Sequence, residues 1–438
     1  MLVLLVALVR LGLLAQDKLW TLRECCDYAV EHNISIKQQE NACRQQELQL
    51  STAKNSRLPD LSASAGQNFS FGRGLTAENT YSNTNTSSTS FSLGTSVPIF
   101  TGFQIPNQIK LSQLNLEAAT ADLEKAKNDI RMQVAQAYVQ ILYDMEIADV
   151  ANRQIAIDSA QVARLQAFVD NGKASEAELS QQKATLANSR LTATQADNNT
   201  RLAILALTQL LELPTPDGFA IVRPDLSGNS GLSGLSGLTP DAIYAEALNI
   251  KPEIASQQLR LKGTERSIKI AQAANLPSLS LSGGLGTNYY TTSGFKSDAF
   301  GTQLKNNFSQ YIGLNLSIPI FNRFQTRNNI RNARIEQENQ QLQLDNTKKT
   351  LYKEIQQVYY NALNAQSKEK SSEEALLSTK DAFQLMQAKY ENGKATITEF
   401  NEAKNNYLKS ESDLVQARYE NLYQQALIEF YRGHELNF

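Results

Sequence analysis

The sequence predicts an α+β membrane protein with an internal two-fold repeat: long α-helical coiled-coil hairpins plus four β-strands per chain. Three observations carry that class. The stretch SVPIFTGFQ, Ser96 to Gln104, returns as SIPIFNRFQ, Ser317 to Gln325, and NGKA at Asn171 to Ala174 returns at Asn392 to Ala395, both at an offset of 221 residues. Leu58-Pro59-Asp60-Leu61-Ser62 matches Leu276-Pro277-Ser278-Leu279-Ser280 at an offset of 218, as do Thr21 and Ala29 with Thr239 and Ala247, so the duplication covers nearly the whole chain. Finally, segments of period two alternate with much longer segments whose apolar residues recur every three or four positions. The period far exceeds that of a solenoid, so each copy must hold several elements.

In chain order, Met1 to Gln16 is mostly apolar and ends in small residues, which reads as a secretory signal segment, although Arg10 interrupts it and a basic leading region is missing. It is too short for a helical span, and no later run supplies about 20 continuous apolar residues. Residues 17–213 read as the first repeat. Thr21 to about Ser56 is helical in composition. Strands are expected at about 60–72 and 87–100; in the second, Phe91, Leu93, Thr95 and Val97 alternate with Ser90, Ser92, Gly94 and Ser96. The polar connection between the strands reads as a loop in water.

No glycine or proline interrupts Asn107 to Asn171, a run of about 65 residues that at 1.5 Å each makes a rod on the order of 100 Å. Asp170-Asn171-Gly172 turns the chain, and a return helix runs to Leu213. Residues 214–238, rich in proline, glycine and serine, read as an extended or mobile linker. The second repeat, 239–438, has strands at about 278–290 and 308–321, a rod to Tyr390, a tip at 391–396 and a return helix to Tyr431. The narrow, alanine-rich apolar stripes of the rods suit coiled-coil packing with a solvated side.

Composition excludes several functions. A net charge of −2 without a lysine or arginine cluster lacks the electrostatic footprint of nucleic-acid binding. Cys25, Cys26 and Cys43 form no metal-ligand or disulfide pattern and read as small apolar helix residues. With only His32 and His434 available and the carboxylates spread along helix faces, no catalytic constellation, cofactor site or metal site is expected.

Strands of about ten residues can cross a bilayer at a tilt, but closed barrels need at least eight, so four per chain must be completed by further copies. Aromatics near the strand ends, among them Phe69, Phe71, Tyr81, Tyr289 and Tyr311, are compatible with an interfacial girdle and equally with ordinary β-propensity. Pro98, Phe100, Pro319 and Phe321 mark strand-to-helix junctions, since proline lacks a donor and ends a ladder; they also fit plain strand terminators.

The duplicated plan, the junctions VPIFTGF and IPIFNRF, the phrases DNGKAS and ENGKAT, and LELP at Leu211 to Pro214 together resemble the TolC-like outer-membrane efflux family, the outer membrane factors. That resemblance implies a homotrimer with a shared twelve-stranded β-barrel in outer-membrane lipid and a periplasmic α-barrel. It implies an exit duct for tripartite efflux or type I secretion, joined to an inner-membrane pump by a periplasmic adaptor. It makes the tips, Asn171, Gly172, Lys173, Ala174 and Ser175 with Asn392, Gly393, Lys394, Ala395 and Thr396, the adaptor-docking surface. Counted from Gly393, Glu399 and Glu402 take the positions of the family's acidic pore constriction; equally, they read as exposed helix-surface glutamates. A trimeric surface fibre or adhesin with a shared barrel anchor is the other reading of coiled coils joined to strands, though paired hairpins disfavour it.

Overall fold

A computed structural model of the chain describes residues 19–75, 79–224 and 237–436. The expected signal segment and residues 225–236 of the linker lie outside the described residues. The elements, in order, are β1 (Leu19–Trp20), α1 (Leu22–His32), α2 (Ile34–Asn55), β2 (Ser62–Leu75), β3 (Tyr81–Thr101), α3 (Gln104–Asp170), α4 (Glu176–Leu210), β4 (Ala220–Ile221), α5 (Pro240–Ile250), α6 (Pro252–Ala273), β5 (Ser278–Thr292), α7 (Phe300–Asn306), β6 (Ser309–Ser317), α8 (Gln325–Glu391) and α9 (Ile397–Tyr431). Both rods, α3 and α8, are 67 residues long, and both return helices, α4 and α9, are 35.

Contacts divide the chain into two compact units. One takes residues up to Asn41, Ala121–Ala255 and from Asp345 onward; the other takes Ala42–Thr120 and Ser256–Leu344. Each unit therefore draws on both sequence repeats, so compactness cuts across the duplication.

The first unit has an apolar core that includes Leu22, Cys25, Ile141, Leu207 and Phe430. Here the single helix expected from Thr21 to Ser56 is corrected to two. Asn33 breaks it in an extended conformation, and its side chain donates to the Leu210 carbonyl at 3.0 Å while accepting from the Ser35 amide at 2.9 Å. The second copy breaks at the equivalent Lys251, where Pro252 disfavours helical geometry in the residue before it. The Lys251 ammonium is buried 4.3 Å from the ring centroids of both Phe430 and Tyr431, and burial pushes its pKa down.

The front of the linker, expected to be extended or mobile, contains an extended stretch that is pinned. β4 pairs in parallel with β1, Phe219 and Ile221 are buried, and the Tyr138 hydroxyl donates to the Val222 carbonyl at 2.6 Å.

The second unit is built on an antiparallel sheet in the order β2-β3-β5-β6. β3 begins at Tyr81, earlier than its sequence pattern suggested, because the threonine- and serine-rich stretch pairs with β2 as far as Leu75. β-propensity there outweighs polarity. The corresponding stretch of the second repeat contains the short helix α7, where a plain loop was expected. No helix among the described residues is long and apolar enough to cross a membrane.

Candidate functional site

Residues directly opposite one another in an antiparallel pair lie on the same face, so the register sorts the sheet's side chains. On one face Leu316, Leu279 and Phe100 form a row, Leu314, Leu281 and Val97 the next, and Gln310, Leu285, Leu93 and Ala63 another. On the other, Gly313 faces Ser282 and Ser96, and Ser309 faces Gly286, Ser92 and Ser64. The apolar face is uncovered, with Ile312 80% and Leu314 68% exposed. Such a sheet is suited to hydrocarbon on one side and water on the other. The outer edges of β2 and β6 have no strand partner among the described residues.

The two tips share one construction. In the first, the Gly172 amide donates to the Val169 carbonyl at 2.8 Å and the Lys173 amide to the Phe168 carbonyl at 2.7 Å; in the second, Gly393 donates to Tyr390 at 3.0 Å and Lys394 to Lys389 at 2.8 Å. This is the paired closure of a helix C-terminus in which glycine takes the left-handed conformation, here at φ 68° and 69°. Asn171 and Asn392 each donate a side-chain bond of 2.7 Å to a carbonyl of the preceding turn. After Ala174 and Ala395, Ser175 and Thr396 cap the return helices in capping boxes completed by Glu178 and Glu399. The duplicated phrase is thus a helix stop followed by a helix start. Ser175, Thr396 and the two glycines are exposed, and Ala174 and Ala395 are partly covered.

Glu399 therefore has work within its own helix. Its carboxylate accepts from the Thr396 amide and hydroxyl, both at 2.8 Å, and these bonds hold its pKa below the usual carboxylate range. Glu402 lies one turn on and is exposed.

The junction residues are placed less symmetrically than their sequences. Pro98 lies within β3, opposite Ser280, and the register shifts between Pro98 and Phe100, so the chain bulges at Ile99 before β3 ends at Thr101. In the second repeat the strand expected to reach 321 stops at Ser317, which leaves Pro319 and Phe321 beyond it. Both copies then turn through two residues at positive φ: Gly102 (61°) and Phe103 (68°), and Arg323 (54°) and Phe324 (62°). The aromatic pairs Phe100–Phe103 and Phe321–Phe324 meet edge to face at 5.3 and 5.5 Å.

One cluster escaped the sequence reading. Asp158 on α3 and Lys404 on α9 form an ion pair in which neither side chain is exposed. Asp158 also accepts from Ser189 and Gln154, each at 2.6 Å, and from Gln182 at 3.3 Å, while Lys404 donates to Asn401 at 3.3 Å. The signal was available: Asp158 sits on the buried stripe that also holds Val150, Ala151 and Leu165. A carboxylate there requires a buried partner.

Comparison with known proteins places this arrangement. The sequence matches the family described as outer membrane efflux protein over residues 26–212 and 243–433. It is 23% identical over 311 residues to the outer membrane efflux protein BepC of Brucella suis, covering 70% of this chain and 62% of BepC. It is 24% identical over 193 residues to the outer membrane protein TolC of Salmonella enteritidis, covering 44% of this chain and 39% of TolC. The chain thus aligns to less than two thirds of the length of either relative. Among solved structures, the Campylobacter jejuni CmeC outer membrane channel superposes with a TM-score of 0.76 at 20% identity, covering 95% of this chain and 87% of CmeC. The Vibrio cholerae outer membrane protein VceC gives 0.75 at 18%, covering 95% and 97%. The chain belongs to the outer membrane efflux protein family, with the fold of these outer-membrane channels.

Proposed function

We propose that this chain is one subunit of an outer-membrane exit channel, a homotrimer whose three four-stranded sheets join at the β2 and β6 edges into a twelve-stranded barrel. The observation that carries the proposal is the two-faced sheet with open edges. An uncovered apolar face fits lipid, a serine- and glycine-rich face fits a water-filled lumen, and unpaired strand edges are not tolerated in hydrocarbon, so further copies must close the wall. Three copies rest on the family resemblance. The channel is a passive conduit of a tripartite efflux or type I secretion system, and the tips Asn171–Ser175 and Asn392–Thr396 receive the periplasmic adaptor that links it to an inner-membrane pump. Two similar tips per subunit, each with an exposed lysine, support end-on docking. Glu399 and Glu402 supply the acidic constriction.

Native mass spectrometry of the detergent-extracted protein, together with single-channel recording in planar bilayers, tests this reading. The expected result is a trimer that conducts. A stable monomer with no larger species, or a trimer that never conducts, overturns it.

A further inference from the structure

The two strand-to-helix junctions share a backbone turn but not a charge. In the first repeat the turn and the opening of the helix contain Gly102, Pro106, Lys110 and Gln113; the matching positions of the second repeat hold Arg323, Arg327, Arg331 and Arg334. All four arginines are exposed, and none is ion-paired among the described residues. Two features make their placement costly. Arg323 has φ 54°, a conformation that disfavours any residue with a Cβ. The first repeat uses glycine there, where a Cβ would meet the Ala273 carbonyl oxygen at 2.6 Å; β6 lies at the sheet edge, where its turn has a strand neighbour on one side only. Arg327 lies in the first turn of α8, where the helix dipole disfavours cations and no acidic side chain stands, and Arg331 and Arg334 follow it at helical spacing. Local strain and unfavourable charge kept in one copy only point to a ligand outside the chain.

The surroundings say which kind. The Arg327 guanidinium lies 5.9 Å over the Phe324 ring, which itself meets Phe321 edge to face. Phe321 is 70% exposed and Ile320 94%, just beyond the end of β6, whose own apolar side chains are uncovered. Exposed guanidiniums, one of them over an aromatic ring, beside exposed apolar side chains at the end of the strand match a molecule with an anionic head and an apolar tail. We infer that the second-repeat junction, Arg323, Arg327, Arg331 and Arg334 with Phe321 and Phe324, is a binding site for the phosphate headgroup of an anionic glycerophospholipid, which fastens the periplasmic rim of the barrel to the membrane. This rests on the channel reading, which puts the junction at the periplasmic side of the outer membrane.

The test is native mass spectrometry of the purified oligomer with phosphatidylglycerol and phosphatidylcholine of identical acyl chains. Each guanidinium near an anionic surface is expected to contribute roughly fivefold, so the wild type should retain phosphatidylglycerol in marked preference, less so as salt rises. Arg323→Gly restores the first repeat's residue and relieves strain, so a weaker preference in that variant cannot be ascribed to misfolding. Arg327→Gln with Arg331→Gln and Arg334→Gln should remove most of the rest, and the same positions changed to lysine should keep most of it. Equal retention of both lipids by the wild type, or an undiminished preference in the glutamine variant, overturns the inference. So does dissociation of the glutamine variant into monomers that the lysine variant repairs, since the arginines then serve a neighbouring copy. Insertion into neutral vesicles without headgroup preference leaves the channel reading intact and defeats this one; failure to insert into vesicles of any composition defeats the channel reading itself.

Discussion

Lys404 and Asp158 carry charge where the packing leaves no water, and the pair persists because each has partners beyond the other. Removing one member strands the other. Lys404→Met should lower stability by about 3–5 kcal/mol, and adding Asp158→Leu should recover much of that loss. Chemical unfolding of the four proteins in a double-mutant cycle checks this; additive losses would show that the pair contributes nothing as a pair. Glu399 offers a pH-dependent counterpart. Its folded-state pKa is depressed by the Thr396 amide and hydroxyl, so the capping box is fully stabilising above the ordinary carboxylate range and is lost as pH falls through the depressed value. The hydrogen-exchange protection factor of the Thr396 amide should therefore drop as pH falls below the ordinary carboxylate range, and Glu399→Gln should flatten that dependence. Neither effect was legible from residue type alone: Glu399 read as a pore residue or a solvated surface charge, and Lys404 drew no attention among 42 lysines and arginines.

At the level of elements, sequence reading succeeded where the signal is local and long. The rods, the return helices and the tips follow from period, from the absence of breakers and from glycine, all of which act within a few residues. Strand ends were less legible because pairing partners set them: β3 lengthens to match β2, and β6 stops early beside the edge. The tip glycines have open space around a built Cβ, so any substitution there acts through φ alone. Gly172→Val or Gly393→Val should cost about 1–2 kcal/mol locally and loosen one hairpin end. If the tips dock an adaptor, the double variant should lose adaptor crosslinking and transport while it still assembles into the same oligomer. Normal transport by a well-expressed double variant would remove the tips from the docking surface.

Symmetry in the whole assembly would multiply what one chain carries. In the proposed trimer, Glu399 and Glu402 would place six carboxylates around one axis, whereas the first repeat holds Glu178 and Gln181 at the corresponding places. The capping role of Glu399 does not conflict with this, because a carboxylate bonded to its own helix start keeps its charge. In planar bilayers the wild type should prefer cations and be blocked by multivalent cations from the periplasmic side. Changing both residues to glutamine should weaken both properties; unchanged block and selectivity would leave Glu399 as a helix cap only.

By itself the sequence determined the duplication, the alternation of strands with long helical hairpins and the capping cassette at each tip, because periodicity and breakers are properties of the chain. Tertiary structure decided the rest. It cut the compact units across the repeats, paired β3 with β5 as well as with its sequence neighbour β2, pinned the front of the linker against β1, and brought Asp158 to Lys404 from 246 residues away. It also showed that the same nine-residue phrase makes a crowded turn around Gly102 and holds Arg323 at the sheet edge in the same backbone conformation. The physical reason is that burial and pairing are set by neighbours distant in the chain, and a local pattern cannot state which neighbour arrives.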